Sequence, residues 1–252
     1  MVGLLLTIIV GLFILVGTII GRFLKNKKSV LDFSISMSFG VVVCLSILEL
    51  LPEILETLGK GMGFKGLIFA LLCVVLGFVI LFQLDRLIPH HESEDHHHHH
   101  KHSNCHNEHL KHIGIVTSLA LILHNIIEGM GIYITSSTDF NTGLLLCIGV
   151  GLHNLPMGFM IESTLRNEYK FNKVLVISLI VSLSTLLGGI IASLLTTSEL
   201  VMGLLLSVTF GMLVYISFVE LLPQINNISN KKIKYIGVIS GSVLLMISLI
   251  FG

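Results

Sequence analysis

Residues 39–52 read Phe39-Gly-Val-Val-Val-Cys-Leu-Ser-Ile-Leu-Glu-Leu-Leu-Pro52, and residues 210–223 read Phe210-Gly-Met-Leu-Val-Tyr-Ile-Ser-Phe-Val-Glu-Leu-Leu-Pro223. The two stretches share Phe-Gly at the start, a serine, and a Glu-Leu-Leu-Pro ending at matching positions. Each sits in an apolar run of the length that crosses hydrocarbon as a helix, about 20 residues. Eight such runs lie along the chain: 2–20, 33–51, 66–84, 113–135, 142–161, 174–195, 200–222 and 233–251. The chain is 53% hydrophobic and only 12% charged, with a mean hydropathy of +0.93. Soluble domains carry about a quarter charged residues, so the composition points to an integral membrane protein with a lipid bilayer as its partner.

The basic residues orient these spans. With the N-terminus outside, the inner connections hold Arg22, Lys25, Lys27, Lys28, Arg86, Lys101, Lys111, Arg166, Lys170, Lys173, Lys231, Lys232 and Lys234. The outer ones hold Lys60 and Lys65 alone. This asymmetry predicts a multi-pass cell-membrane protein with both termini extracellular. The first run has no basic stretch ahead of it and a basic stretch after it, so it reads as a retained helix rather than a secretion signal. Under this topology the second span runs outward and the seventh inward. The matched segments therefore have opposite orientation, which is the mark of an inverted-topology repeat. A second match pairs His124-Asn125-Ile-Ile-Glu128-Gly129 with His153-Asn154-Leu-Pro-Met157-Gly158 in the fourth and fifth spans. The predicted fold is an all-α bundle of three helices, a central pair and three helices. Residues 1–89 hold the first three spans, 90–112 a histidine-rich loop, 113–165 the central pair and 166–252 the last three. Gly17/Gly21 and Gly237/Gly241 have the four-residue spacing that lets membrane helices pack closely.

His124, Asn125 and Glu128 lie deep in an apolar segment, where polar groups are costly and normally face a partner or a pathway. His124 and Glu128 are one helical turn apart on the same face, and His153 and Met157 repeat that spacing with Asn154 alongside. Imidazole and carboxylate together suit Zn²⁺, Fe²⁺ or Mn²⁺. Pro156 removes one backbone donor, which is tolerated in a membrane helix that lines a polar cavity. Glu162 precedes Arg166 by four residues and is expected to pair with it. Glu49 and Glu220, the repeat-related acids, are expected near the outer and inner ends of their helices as gates for a cation.

Residues 90–112 hold eleven of the thirteen histidines, including His96, His97, His98, His99, His100, His102 and His106, with Cys105 among them. This tract is expected to be a cytoplasmic, disordered, weak and multivalent metal binder. Of the four cysteines, Cys44, Cys73 and Cys147 lie in apolar runs and no CxxC pair exists. A disulfide framework and a zinc-finger spacing are both excluded. The formal net charge is zero, which leaves no basic surface for nucleic acid.

The paired HNxxEG-like motifs, the LELLP and VELLP segments and the histidine loop after the third span closely resemble the ZIP (Zrt/Irt-like) metal-ion transporters. The resemblance covers essentially the whole chain. It implies an eight-helix fold, movement of divalent metal toward the cytoplasm, zinc as the first expectation with iron as the alternative ion, and association as a homodimer. It also implies that His124, Glu128, His153 and Met157 bind the transported ion, with Asn125 and Asn154 as ligands of a second metal in binuclear relatives. Two departures stand out. The fifth span has Met157 where relatives usually carry a carboxylate, and the sixth has only Ser182, Ser184 and Thr185 where many carry an acid or histidine. One central carboxylate disfavours two ions in a low-dielectric site, so a single ion is expected. The thioether tilts selectivity away from Mn²⁺ and toward Zn²⁺. Two other functions fit parts of the pattern: a metal sensor that does not transport, and an intramembrane metalloenzyme. The second has no HExxH sequence to support it.

Overall fold

The computed structural model describes residues 2–24, 28–87, 101–195 and 198–251, with side chains described for 110–195 and 198–250 in the latter two stretches. Among the described residues, eight helices are long and apolar enough to cross a membrane. They are α1 (Val2–Phe23), α2 (Lys28–Met62), α3 (Phe64–Leu87), α4 (Lys101–Thr138), α5 (Phe140–Leu165), α6 (Phe171–Leu194), α7 (Glu199–Asn226) and α8 (Lys231–Phe251). No strand occurs among the described residues. Large apolar side chains such as Leu5, Leu72, Val176 and Ile236 are exposed on the outside, as lipid-facing helices require.

Most helices run a few residues beyond the hydropathy reading, and three of the differences bear on the polar residues. The α2 helix runs past Leu51 to Met62, and α7 runs past Leu222 to Asn226. Pro52 and Pro223 do not stop these helices, because each comes after a wider π-helical turn, Leu45–Leu50 and Ile216–Leu221. A proline is also accepted in the first turn of the next α-segment, where its missing donor matters least. The third difference lies in the histidine tract. Residues 88–100, including His96, His97, His98, His99 and His100, lie outside the described residues. His102, Cys105 and His106 fall on the backbone of α4, whose helix begins at Lys101 rather than after the tract. Leu110 and His112 are buried, so this end of α4 is anchored against its neighbours.

Helix pairing depends on glycine. Gly17 of α1 and Gly158 of α5 each face the other helix's backbone, as do Gly129 of α4 and Gly188 of α6. The same reciprocal arrangement joins Gly40 of α2 to α8 through Gly241, and Gly77 of α3 to α7 through Gly211. A methyl at any of these positions would lie 1.9–2.3 Å from a facing carbonyl oxygen, so only glycine permits the approach. These contacts obey the repeat: the displacement that aligns Gly40 with Gly211 also aligns Gly17 with Gly188. The α1–α5 contact thus reappears as α6–α4, and α2–α8 as α7–α3. Packing is most extensive within two groups, α1 with α4, α5 and α6, and α2 with α8 beside α3 with α7.

Between the groups α5 crosses α2 and α8, and polar bonds mark these crossings. Ser248 of α8 donates to the Gly149 carbonyl of α5 at 2.6 Å, and Ser38 of α2 donates to the Pro156 carbonyl at 3.4 Å. Inside the first group, Thr18 of α1 reaches the Gly158 carbonyl and the Ser178 hydroxyl of α6. At one end of α5, Arg166 pairs with Glu162 as the i,i+4 spacing predicts, with Nε to Oε2 at 2.8 Å. The same guanidinium donates to the Gly21 and Leu24 carbonyls and so caps the C-terminus of α1. At the other end Asp139 caps α5, accepting from the Asn141 and Thr142 amides and the Thr142 hydroxyl. Those bonds favour the ionised carboxylate and hold Asp139 below its ordinary range, with the Thr142 hydroxyl the largest cause.

Candidate metal site

The central pair delivers its polar residues to one place. Glu128 Oε1 lies 2.8 Å from His124 Nε2 on the same helix and 2.7 Å from His153 Nε2 on α5. The imidazole centroids are 6.4 Å apart. One carboxylate oxygen therefore stands between two ring nitrogens from different helices, all of them within 4.8 Å of one another. His124 and His153 are buried, and Glu128 is nearly so. The glycine after each motif explains the position. Gly129 and Gly158 bring α6 and α1 against the backbone one residue beyond Glu128 and Met157, fixing both motif faces toward each other.

Asn125 is fully buried and donates to the Val181 carbonyl of α6 at 3.1 Å, while its Oδ1 has no hydrogen-bond partner among the described residues. Neither polar atom of buried Asn154 has one, nor has Glu128 Oε2. Buried polar groups are normally satisfied, so open acceptors around two imidazoles and a carboxylate are the chemistry a cation would complete. Met157 is buried one turn beyond His153, within the main apolar core that includes Ile14 and Met160. Ser182, Ser184 and Thr185 of α6 are buried as well, and Thr185 Oγ1 is without a partner among the described residues.

Glu49 lies deeper than its sequence position suggests. Because α2 continues to Met62, Glu49 is not at a helix end, and it interacts electrostatically with His153, Glu128 and His124. Further along α2, Glu53 is coupled to Glu49 and Glu56. Glu53 and Glu56 line a cleft of about 500 Å³ with Glu199 of α7.

Glu220 belongs to a second cluster. With Asp85 of α3 and His112 of α4 it brings three ligand atoms within 4.8 Å. His112 Nε2 is 3.0 Å from Asp85 Oδ1, and buried Tyr215 donates to Asp85 Oδ2 at 2.7 Å. Phe78 and Phe82 stand edge-on to Tyr215, and Arg86 lies over the Phe82 ring at 4.3 Å. Reading the chain alone missed Asp85 and hid His112 among the tract histidines. The available signal was Asp85 at the end of an unbroken apolar run on a chain with few acids.

Among the described residues, eight apolar helices around a buried His–Glu–His cluster define the class, a multi-pass membrane protein. The profile described as ZIP Zinc transporter matches residues 1–112 and 89–249, and this chain belongs to that family. It is similar to the zinc transporter ZupT of Enterobacter sp. (strain 638), 28% identical over 256 residues, covering 99% of this chain and 96% of that protein. It is equally similar to the zinc transporters ZupT of Salmonella heidelberg (strain SL476) and Salmonella newport (strain SL254), each 28% identical with the same coverage of both chains.

Proposed function

We propose that this protein carries divalent transition-metal ions, zinc foremost and iron as the alternative, toward the cytoplasm through a single midplane site. The observation that carries the reading is the Glu128 oxygen lying within 2.8 Å of imidazoles on two helices. His124, Glu128 and His153 are the proposed ligands, with the Met157 thioether a weak fourth and Asn125 and Asn154 as neutral oxygen donors beside them. Family membership and the names of the relatives favour transport over catalysis.

The route has an acidic approach and an acidic release. Glu56, Glu53 and Glu49 descend one helix from the cleft to the site, and a cation is attracted along such a ladder. Asp85, His112 and Glu220 receive the ion at the basic end, which we take as cytoplasmic. There Lys173 and Lys111 flank the Tyr169 ring at 3.8 and 5.5 Å, and Arg22 lies over Phe171 at 5.3 Å. Exposure alternates as the α1, α4, α5, α6 group shifts against the other four helices. The histidine tract acts as a weak acceptor on the cytoplasmic side.

The test is zinc uptake into proteoliposomes holding a zinc-sensitive dye, comparing the native chain with His124→Ala and Glu128→Ala. Flux in the native protein that both changes abolish, with folding intact, supports the reading. Stoichiometric zinc binding without flux in the native chain would make the protein a membrane metal sensor instead.

A further inference from the structure

The matched segments 39–52 and 210–223 share a local structure that hydropathy does not announce. Each leaves the α-helical path at the same register and forms a π-turn, Leu45–Leu50 and Ile216–Leu221. Each turn closes with the next leucine amide bonding five residues back, Leu51 to Ser46 and Leu222 to Ser217. In both, the second residue is a serine whose hydroxyl donates to the carbonyl four residues earlier, Val42 and Leu213, at 2.8 Å. In both, the fifth residue is the glutamate.

The cause lies in the sequence. A proline ring clashes with the carbonyl four residues before it in an α-helix, here Leu48 and Val219, and widening the turn relieves that clash. Serine back-bonding to a carbonyl weakens and bends the α-helix at the same point. Each π-turn inserts one residue, so the downstream part of the helix is rotated by about 100° from its α-helical place. The exposure pattern repeats: Ile47, Leu48, Phe218 and Val219 face outward, while Glu220 is 6% exposed and Glu49 couples to the central site. π-turns are rare and gather at functional positions, and finding them at both copies of one repeat ties them to the glutamate that each copy carries at the fifth position, three residues after a buried serine.

We infer that Ser46 and Ser217 are positioning residues that hold the two π-turns, and that these turns aim Glu49 and Glu220 at the ion's route. This rests on the reading of both acids as route residues, and the experiment separates the two. Zinc flux into proteoliposomes is measured for Ser46→Ala, Ser217→Ala, the corresponding threonine variants, Pro52→Ala, Glu49→Gln and Glu220→Gln. Ser46→Ala is expected to raise the half-saturating zinc concentration roughly fivefold, the effect of one hydrogen bond, with the maximal rate per folded molecule kept. Ser217→Ala is expected to lower the maximal rate by a similar factor with half-saturation kept. Threonine, which retains the hydroxyl, restores each parameter. Pro52→Ala, which returns a backbone donor and permits an α-turn, reproduces the Ser46→Ala shift even if the serine variant folds poorly.

Impaired glutamine variants beside serine variants that match the native chain would overturn the positioning role and leave the route standing. A uniform loss that tracks only the amount of folded protein, unrelieved by threonine, would overturn it too. Glutamine variants with native flux would remove the route and this inference together.

Discussion

At the scale of single residues, the centre is defined by how little negative charge it holds. Glu128 is the one carboxylate within the motif pair, and Met157 occupies the turn where its helix could have offered another. Met157→Glu is expected to raise Mn²⁺ competition against zinc flux severalfold, because a hard oxygen donor replaces a soft thioether. Unchanged competition would show that selectivity is set elsewhere. Arg166 offers a separate test, of stability rather than flux. Removing it strands buried Glu162 and uncaps α1, so Arg166→Met should cost about 3 kcal/mol in thermal unfolding. Adding Glu162→Gln should recover much of that loss, since no buried charge is then left unpaired.

At the scale of elements, the helices were readable and their ends were not. Hydropathy locates all eight spans because hydrocarbon demands continuous apolar length. The same rule misplaces the end of α2, since Pro52 is ordinarily a stop and hydropathy carries no sign of the π-turn that relieves its clash. That His124, Glu128 and His153 would come together was legible because ionisable residues are conspicuous in apolar runs. His112 was not, being one histidine among many, and Asp85 reads as an ordinary helix-end acid until Tyr215 and His112 are seen to hold it. The glycine contacts make a prediction at this scale. Gly188→Val forces α6 away from the Ile126 carbonyl and should cost at least about 1–3 kcal/mol of overpacking. The cost should carry over to zinc affinity, because the displaced helix is the one that holds Asn125.

At the scale of the whole molecule, two four-helix groups meet along α5, and the proposed acidic route runs from a cleft at one end to the Asp85–His112–Glu220 cluster at the other. His112 of the first group touches Asp85 of the second, so it is expected to influence release more than capture. His112→Ala should slow maximal zinc flux while leaving half-saturation near the native value. A pure affinity change in a flux titration would contradict that placement. Deleting residues 90–100 should leave flux intact and lower the number of weakly bound zinc ions per chain in equilibrium dialysis.

The sharing of Glu128 Oε1 by His124 and His153 bears on the return stroke of a carrier. A vacated cation site buried in a bilayer usually leaves bare charge behind, and an isolated ionised group there is expensive to move. Here one carboxylate oxygen faces an imidazole nitrogen on each of two helices, so in the proposed carrier the Glu128 charge keeps partners within 2.8 Å after the cargo departs, and the empty protein is expected to reset without waiting for a replacement ion. Net uptake into metal-free vesicles should therefore run about as fast as one-for-one exchange against preloaded ones.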